Sequence, residues 1–254
     1  MRPVLDHLFA TLAQADILGS LLRPSEAIDA AIADALQPKQ LGMFEQTTDN
    51  TDSTDSTSGA IRGFDTAALK QMVLERLATA FHDETHSSDP ADALFGREAE
   101  RGVRLIQRLD RQYAVVVTNP PYMGSKNMPD LLKKYVEQQY KAGKRDLYAA
   151  FILRCLELCL SNGRVAMVTQ QSWMFLRSFA DLRAGEAGLL RVSSIEALAH
   201  LGPAAFEEIG GEVVQIAMFV LANAAPHPTH RIAAFRLVGI KYPAEKARML
   251  REAV

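Results

Sequence analysis

The sequence has little of what marks several protein classes. Two cysteines among 254 residues, Cys155 and Cys159, cannot build a disulfide framework, so a reducing compartment is expected. Net charge is nearly absent, since 28 Lys and Arg against 30 Asp and Glu leave −2. That excludes nucleic-acid binding through bulk charge alone; any such affinity must come from a local patch. With 48% hydrophobic residues, so small a charge also excludes wholesale disorder. Gly and Pro are scattered, no heptad persists and no internal repeat occurs, which excludes collagen-like and coiled-coil chains. Long apolar runs are missing too. The N-terminal MRPVLDHLFATLAQAD is broken by Asp6 and His7, unlike a signal peptide, and Val213 to Ala225 is too short to span a bilayer. A cytoplasmic protein without membrane contact is the expectation.

What is present falls into two textures. Up to about residue 110 the chain is Ala-rich, polar and helical in pattern. Pro24-Ser25-Glu26 opens a predicted helix to about Leu36, and further helices are predicted over Asp65 to Phe81 and Glu98 to Leu109. Between them Thr47 to Ser58 is all small and polar, predicting a disordered linker at about 45–62. From Tyr113 short apolar runs alternate with helical patterns. Strands are predicted at Ala114 to Val117, Arg164 to Thr169, Val192 to Leu198, Val213 to Leu221 and Arg231 to Leu237. Helices are predicted at Asp130 to Tyr140, Asp146 to Leu160 and Phe175 to Arg183, with Ser161-Asn162-Gly163 as a stop. That alternation is the rhythm of a parallel sheet with helices packed on it, an α/β fold.

The chemistry-bearing residues are Asn119-Pro120-Pro121-Tyr122, directly after the first strand, read as buried. Ligands of open α/β sheets gather at the carboxyl ends of strands. The Asn119 side-chain oxygen and the Pro120 carbonyl can each accept one N–H. Two prolines stiffen the loop and remove donors. Tyr122 offers a face for a flat heterocycle. Such a loop suits holding a planar amino group so that its nitrogen lone pair meets an electrophile.

This loop in TNPPYMGS, followed by RDLYAAFILRCLELCLSNGRVAMVTQQSWMF and LGPAAFEEIGGEVVQIAMFVL, resembles the catalytic domain of amino-methylating DNA adenine-N6 methyltransferases. Within them it is most similar to the large adenine-specific enzymes of BREX phage-resistance systems, the PglX family. The resemblance covers about Tyr113 to Leu237. It implies a partial class I, Rossmann-like methyltransferase sheet and S-adenosylmethionine as methyl donor. It further implies Asn119, Pro120, Pro121 and Tyr122 as the catalytic loop, and Phe206 as the aromatic on the far side of the flipped base. Asp146-Leu147-Tyr148 and Trp173 match positions read as mainly structural. Double-stranded DNA, with an upstream methyltransferase segment or other defence-system subunits, would be the partners. Residues 1–110 would be a helical insertion, 111–240 the catalytic half and 241–254 the start of a following helical segment.

These enzymes hold their donor at a Gly-rich turn upstream of the loop, and nothing before Asn119 fits. Gly19 lies in a helical pattern, Gly42 in a loop, and Gly59 and Gly63 follow the polar insert. The expectation is the later part of a longer methyltransferase, with an open apolar edge at the Val115 strand. On its own such a chain would neither bind S-adenosylmethionine well nor methylate DNA. Two alternatives stay open: a methyltransferase for RNA bases or protein glutamine, or a non-catalytic chain that only binds DNA or a partner.

Weaker signals complete the reading. Lys126, Lys133, Lys134, Lys141, Lys144 and Arg145 outnumber Asp130, Glu137 and Asp146, a local +3 suited to DNA phosphates. Lys126, just after the loop, is the candidate substrate contact. His82-Asp83-Glu84-Thr85-His86 has zinc-like His spacing but lacks the required Glu and a third ligand, so no metal site is expected. Cys155 and Cys159 are read as packing on one helix face. No Pro-Cys loop or nucleophile elbow occurs, which disfavours cytosine methylation and triad hydrolysis.

Overall fold

The computed structural model describes residues 10, 13–24, 28–29, 66–206 and 214–253. The predicted linker at about 45–62, nearly all of the helix predicted from Pro24-Ser25-Glu26 to about Leu36, and Gly42, Gly59 and Gly63 lie outside the described residues. The chain divides into two compact units, one of Met1–Asp16 with Leu22–Asp110 and one of Ile17–Leu21 with Arg111–Val254.

In the first unit, helix α1 (Thr66–Glu84) and helix α2 (Pro90–Asp110) form a hairpin. Asp89 caps α2, its Oδ1 accepting from Ala91 N at 2.8 Å, and Pro90 fits the first helical position, where no N–H is needed. The sequence reading starts this helix at Glu98, because it took Asp89-Pro90 only as a break and not also as a start. Ile28, Leu74, Leu77, Val103 and Ile106 form the core, and Phe81 meets Phe95 edge-on at 6.0 Å. Buried Lys70 bridges Asp29 and Asp110 at 3.2 and 2.8 Å.

The second unit is built on five strands: β1 (Tyr113–Thr118), β2 (Cys159–Gln170), β3 (Ser194–Gly202), β4 (Ile216–Ala222) and β5 (Ala233–Arg236). Their order is β1-β2-β4-β3-β5. The sheet is mixed α/β in class but not parallel, which corrects the sequence reading. β1 and β2 are parallel, as are β3 and β5, while β4 lies antiparallel between β2 and β3. Successive strands that pair directly reverse direction, whereas a parallel return needs a crossover.

Helix α3 (Asp130–Gln139) and helix α4 (Leu147–Glu157) follow β1. One face of the sheet is covered by α4, where Tyr148, Ile152 and Cys155 share a core with Val165, Met167, Phe219 and Leu221. Helix α4 stops three residues before the predicted end, and Cys159 sits in β2. There Tyr113 pairs with Cys159 but Val115 with Arg164, a bulge in which Asn162 takes φ +64°. A Cβ on Gly163 would meet the Ala114 carbonyl oxygen and the Cys159 sulfur at 2.7 Å, so glycine is required at this close approach. The predicted helix from Phe175 is instead two tight turns, Gln171–Met174 and Arg177–Phe179, then a short helix, Ala180–Ala184.

The strand before Asn119 is not buried. β1 is an edge strand, with Val115 and Val117 60% and 72% exposed, because only Val116 faces the α4 core. On the opposite sheet face, Leu250 of helix α5 (Pro243–Ala253) borders an apolar hollow of about 270 Å³ among Val117, Val168, Met218, Val220 and Phe235. No helix among the described residues is long and apolar enough to cross a membrane.

Candidate active site

The strand directions gather the chemistry at one end of the sheet. β1, β2, β3 and β5 run the same way, so Asn119, Gln171, the turn after Gly202 and Leu237 leave their carboxyl ends together. Antiparallel β4 starts at that end with Ile216, preceded by Gln215.

Asn119 is exposed, Pro120 buried, Pro121 exposed and Tyr122 half-buried. The Tyr122 hydroxyl lies 3.3 Å from both Asn119 Oδ1 and the Val168 carbonyl oxygen, and its single hydrogen can go to either. Its ring stands edge-on to Tyr148, with centroids 6.1 Å apart and an interplanar angle of 86°. Tyr148 is itself fully buried and bonded to Ser172 Oγ at 2.7 Å. Burial pushes both phenols above their ordinary range, so neither serves as a base near neutral pH. The Pro120 carbonyl accepts no hydrogen bond from a described residue. Asn119 Oδ1 and the Pro120 carbonyl are thus two acceptors on a stiff loop beside a clamped aromatic ring.

The loop is held from behind by Asp146, whose Oδ1 accepts from Met123 N at 3.0 Å and caps α4 through Tyr148 N at 3.4 Å. Leu147 N donates back to the Met123 carbonyl at 2.9 Å. Burial raises the Asp146 carboxyl above the usual aspartate range, opposed by these backbone N–H groups. Sequence reasoning took Asp146 only as a helix opening; the Asp preceding a helical run is the signal that could have shown the cap.

The second aromatic is reached by a turn. After β3, Gly202 and Ala204 take φ +68° and +52°, and Phe206 follows, 39% exposed. Ala205 and Tyr122 pack on one cluster, Ala199, Leu201, Ile216 and Leu237, so the catalytic-loop candidate and the Phe206 turn share a base. Lys126, Lys133, Lys134, Lys141 and Arg145 are exposed and Lys144 half-buried, none in an ion pair with a described residue. No contact joins Lys126 to Tyr122 or Phe206. Cys155, buried with its thiol pushed up to about 12, stays protonated and belongs to the core.

Missed by sequence reasoning is a polar row across the strand ends. His200 Nε2 donates to Gln171 Oε1, and Gln171 Nε2 donates to Gln215 Oε1. These residues lie far apart in sequence, and only the antiparallel insertion of β4 aligns them. Trp173 is buried, its Nε1 donating to Thr169 Oγ1 at 3.1 Å. No three His, Cys, Asp or Glu among the described residues gather as metal ligands; His82 Nδ1 instead meets Glu100 at 3.4 Å.

The family described as Eco57I restriction-modification methylase matches residues 12–206. The chain is 45% identical over 160 residues to the adenine-specific methyltransferase PglX of Lacticaseibacillus casei (strain Zhang), covering 62% of this chain and 12% of that protein. It is 44% identical over 115 residues to the adenine-specific methyltransferase BrxX of Escherichia coli O9:H4 (strain HS), covering 45% and 9%. The chain thus spans about an eighth or less of these relatives. Among solved structures, a DrdV–DNA complex aligns with 60% of this chain and 17% of its own, at 20% identity and a TM-score of 0.45.

Proposed function

The chain belongs to the family of Eco57I restriction-modification methylases, and from that premise we propose that it serves methyl transfer to the N6 amine of adenine in double-stranded DNA. The setting is restriction-modification or phage defence, and the donor implied by the family is S-adenosylmethionine. The described residues do not make up a site for that donor, because β1 is the edge strand and no strand with a glycine-rich turn lies beside it. None of them is assigned to it, and the reading concerns the acceptor side.

One observation carries it: two acceptors, Asn119 Oδ1, which the Tyr122 hydroxyl can release for the Val168 carbonyl, and the Pro120 carbonyl, stand beside a Tyr122 ring held edge-on to Tyr148. An adenine extruded from the duplex would present both N6 hydrogens to those acceptors and stack on Tyr122, with Phe206 on its far side. As the amine occupies Asn119, the Tyr122 hydroxyl keeps its bond to the Val168 carbonyl. Accepting both hydrogens directs the nitrogen lone pair away from the loop, toward an incoming methyl group. Phosphates flanking the extruded base would meet the exposed Lys126, Lys133, Lys134, Lys141 and Arg145.

The test is a fluorescence-anisotropy titration of the purified chain with duplexes carrying adenine or hypoxanthine, which has a carbonyl in place of the amine, opposite an abasic site, where extrusion is easy. Adenine is expected to bind about tenfold more tightly than hypoxanthine, a preference that Asn119→Ala removes, while Tyr122→Ala weakens binding of both. Equal affinity for both bases would sink the reading. Tighter binding of the matched RNA would transfer it to an RNA base.

A further inference from the structure

We infer that Lys246 is a positioning residue for the base pocket: from helix α5 its ammonium fixes the turn that presents Phe206. The inference rests on the reading of Phe206 as a base contact. Lys246 is only 2% exposed, and Nζ donates to the Leu201 carbonyl at 2.6 Å and to the Pro203 carbonyl, 45 and 43 residues away in sequence. No carboxylate among the described residues pairs with it. Burying an ammonium is unfavourable unless its hydrogens are bonded, and here the bonds go to the two carbonyls that frame one turn. Consistent with that geometry, desolvation lowers its proton affinity.

The turn needs such a tie. Ala204 at φ +52° adopts a backbone that residues with a Cβ avoid, and Gly202 at φ +68° is pressed by Val238, which a Cβ would meet at 3.0 Å. A turn of this kind, ending in a half-exposed phenylalanine, sits where it does because something outside it holds both shoulders. Lys246 binds one carbonyl on each side of Gly202. The same turn lays Ala205 on the cluster that supports Tyr122. An aromatic that must close on a base loses affinity if it first has to be ordered, so a pre-tied turn favours binding.

The experiment uses the intact chain in three variants, Lys246→Met, Lys246→Arg and Phe206→Ala, and reads two quantities. Amide hydrogen exchange should rise about tenfold at Ala204, Ala205 and Phe206 in Lys246→Met and stay unchanged in β1 and α4. Affinity for the duplex with adenine opposite an abasic site should fall about tenfold. Lys246→Arg should restore most of both. Adding Phe206→Ala to Lys246→Met should weaken binding by less than about a further twofold, because both changes remove one contact. Exchange that stays unchanged at the turn, or rises equally through the whole sheet, overturns the inference; so do effects of the two substitutions that multiply in full. If Lys246→Met does not fold, the same readings on Lys246→Gln decide, since exchange raised at the turn alone supports the tie and unchanged exchange or a uniform rise refutes it. A wild-type chain that binds no extruded adenine, with the exchange result as expected, removes the function reading and leaves Lys246 as the anchor of the turn.

Discussion

His200 shows how a residue can be tuned by groups distant in sequence. It lies at the carboxyl end of β3, bonded through Nε2 to Gln171, and its proton affinity is lowered by burial and then by the positive charges of Arg236 and Lys246. In the unfolded chain the ring takes a proton near pH 6.5, while in the fold it stays neutral to lower pH. Its contribution to stability is therefore present above about pH 6.5 and lost as pH falls through the depressed value. Thermal unfolding of wild type and His200→Asn at about pH 8 and about pH 5 checks this. The wild type should lose more melting temperature across that interval than the variant does. Equal losses would mean that Gln171, not the imidazole charge, decides the behaviour of this row.

At the scale of elements, the informative junction is the loop from β1 to α4. Asp146 accepts from Met123 N and Tyr148 N, so one carboxylate ends the loop and begins the helix. Removing an N-cap costs about 0.5–2 kcal/mol. Asp146→Ala should lower the free energy of unfolding by about that amount, while Asp146→Asn, which keeps an acceptor oxygen, should recover most of it. Denaturant midpoints with unchanged slopes give the comparison. A loss shared equally by both variants would show that the negative charge matters more than the acceptor. Because Tyr148 follows two residues on and carries the edge-on contact to Tyr122, Asp146→Ala should also weaken the binding of extruded adenine to which Tyr122 contributes.

For the whole second unit, the exposed edge decides solution behaviour. Among the described residues nothing pairs with the outer edge of β1, whose Val115 and Val117 are exposed, Val117 bordering the apolar hollow. Open apolar edges template pairing with other chains. Sedimentation velocity should show mass rising with concentration, and Val117→Lys, which puts a charge on that edge, should suppress it. A wild type that stays at 27.9 kDa at every concentration would show that the edge is protected in solution.

Much of this protein was determined by local sequence. The apolar run Ala114 to Val117, the loop Asn119-Pro120-Pro121-Tyr122 and the helices after it were legible because β-branched runs, prolines and helical apolar spacing act over a few residues. The length of α2 was not, since Asp89-Pro90 marks a stop and a start alike. Tertiary structure alone decided that β4 inserts antiparallel between β2 and β3, because pairing partners are chosen by long-range burial that no local pattern encodes. That insertion aligned His200, Gln171 and Gln215, while pairing with Tyr113 of β1 drew Cys159 into a strand. Long-range packing of α5 on the end of β3 likewise buries Lys246, an ordinary lysine in a polar helix by sequence, against the two carbonyls of the Phe206 turn.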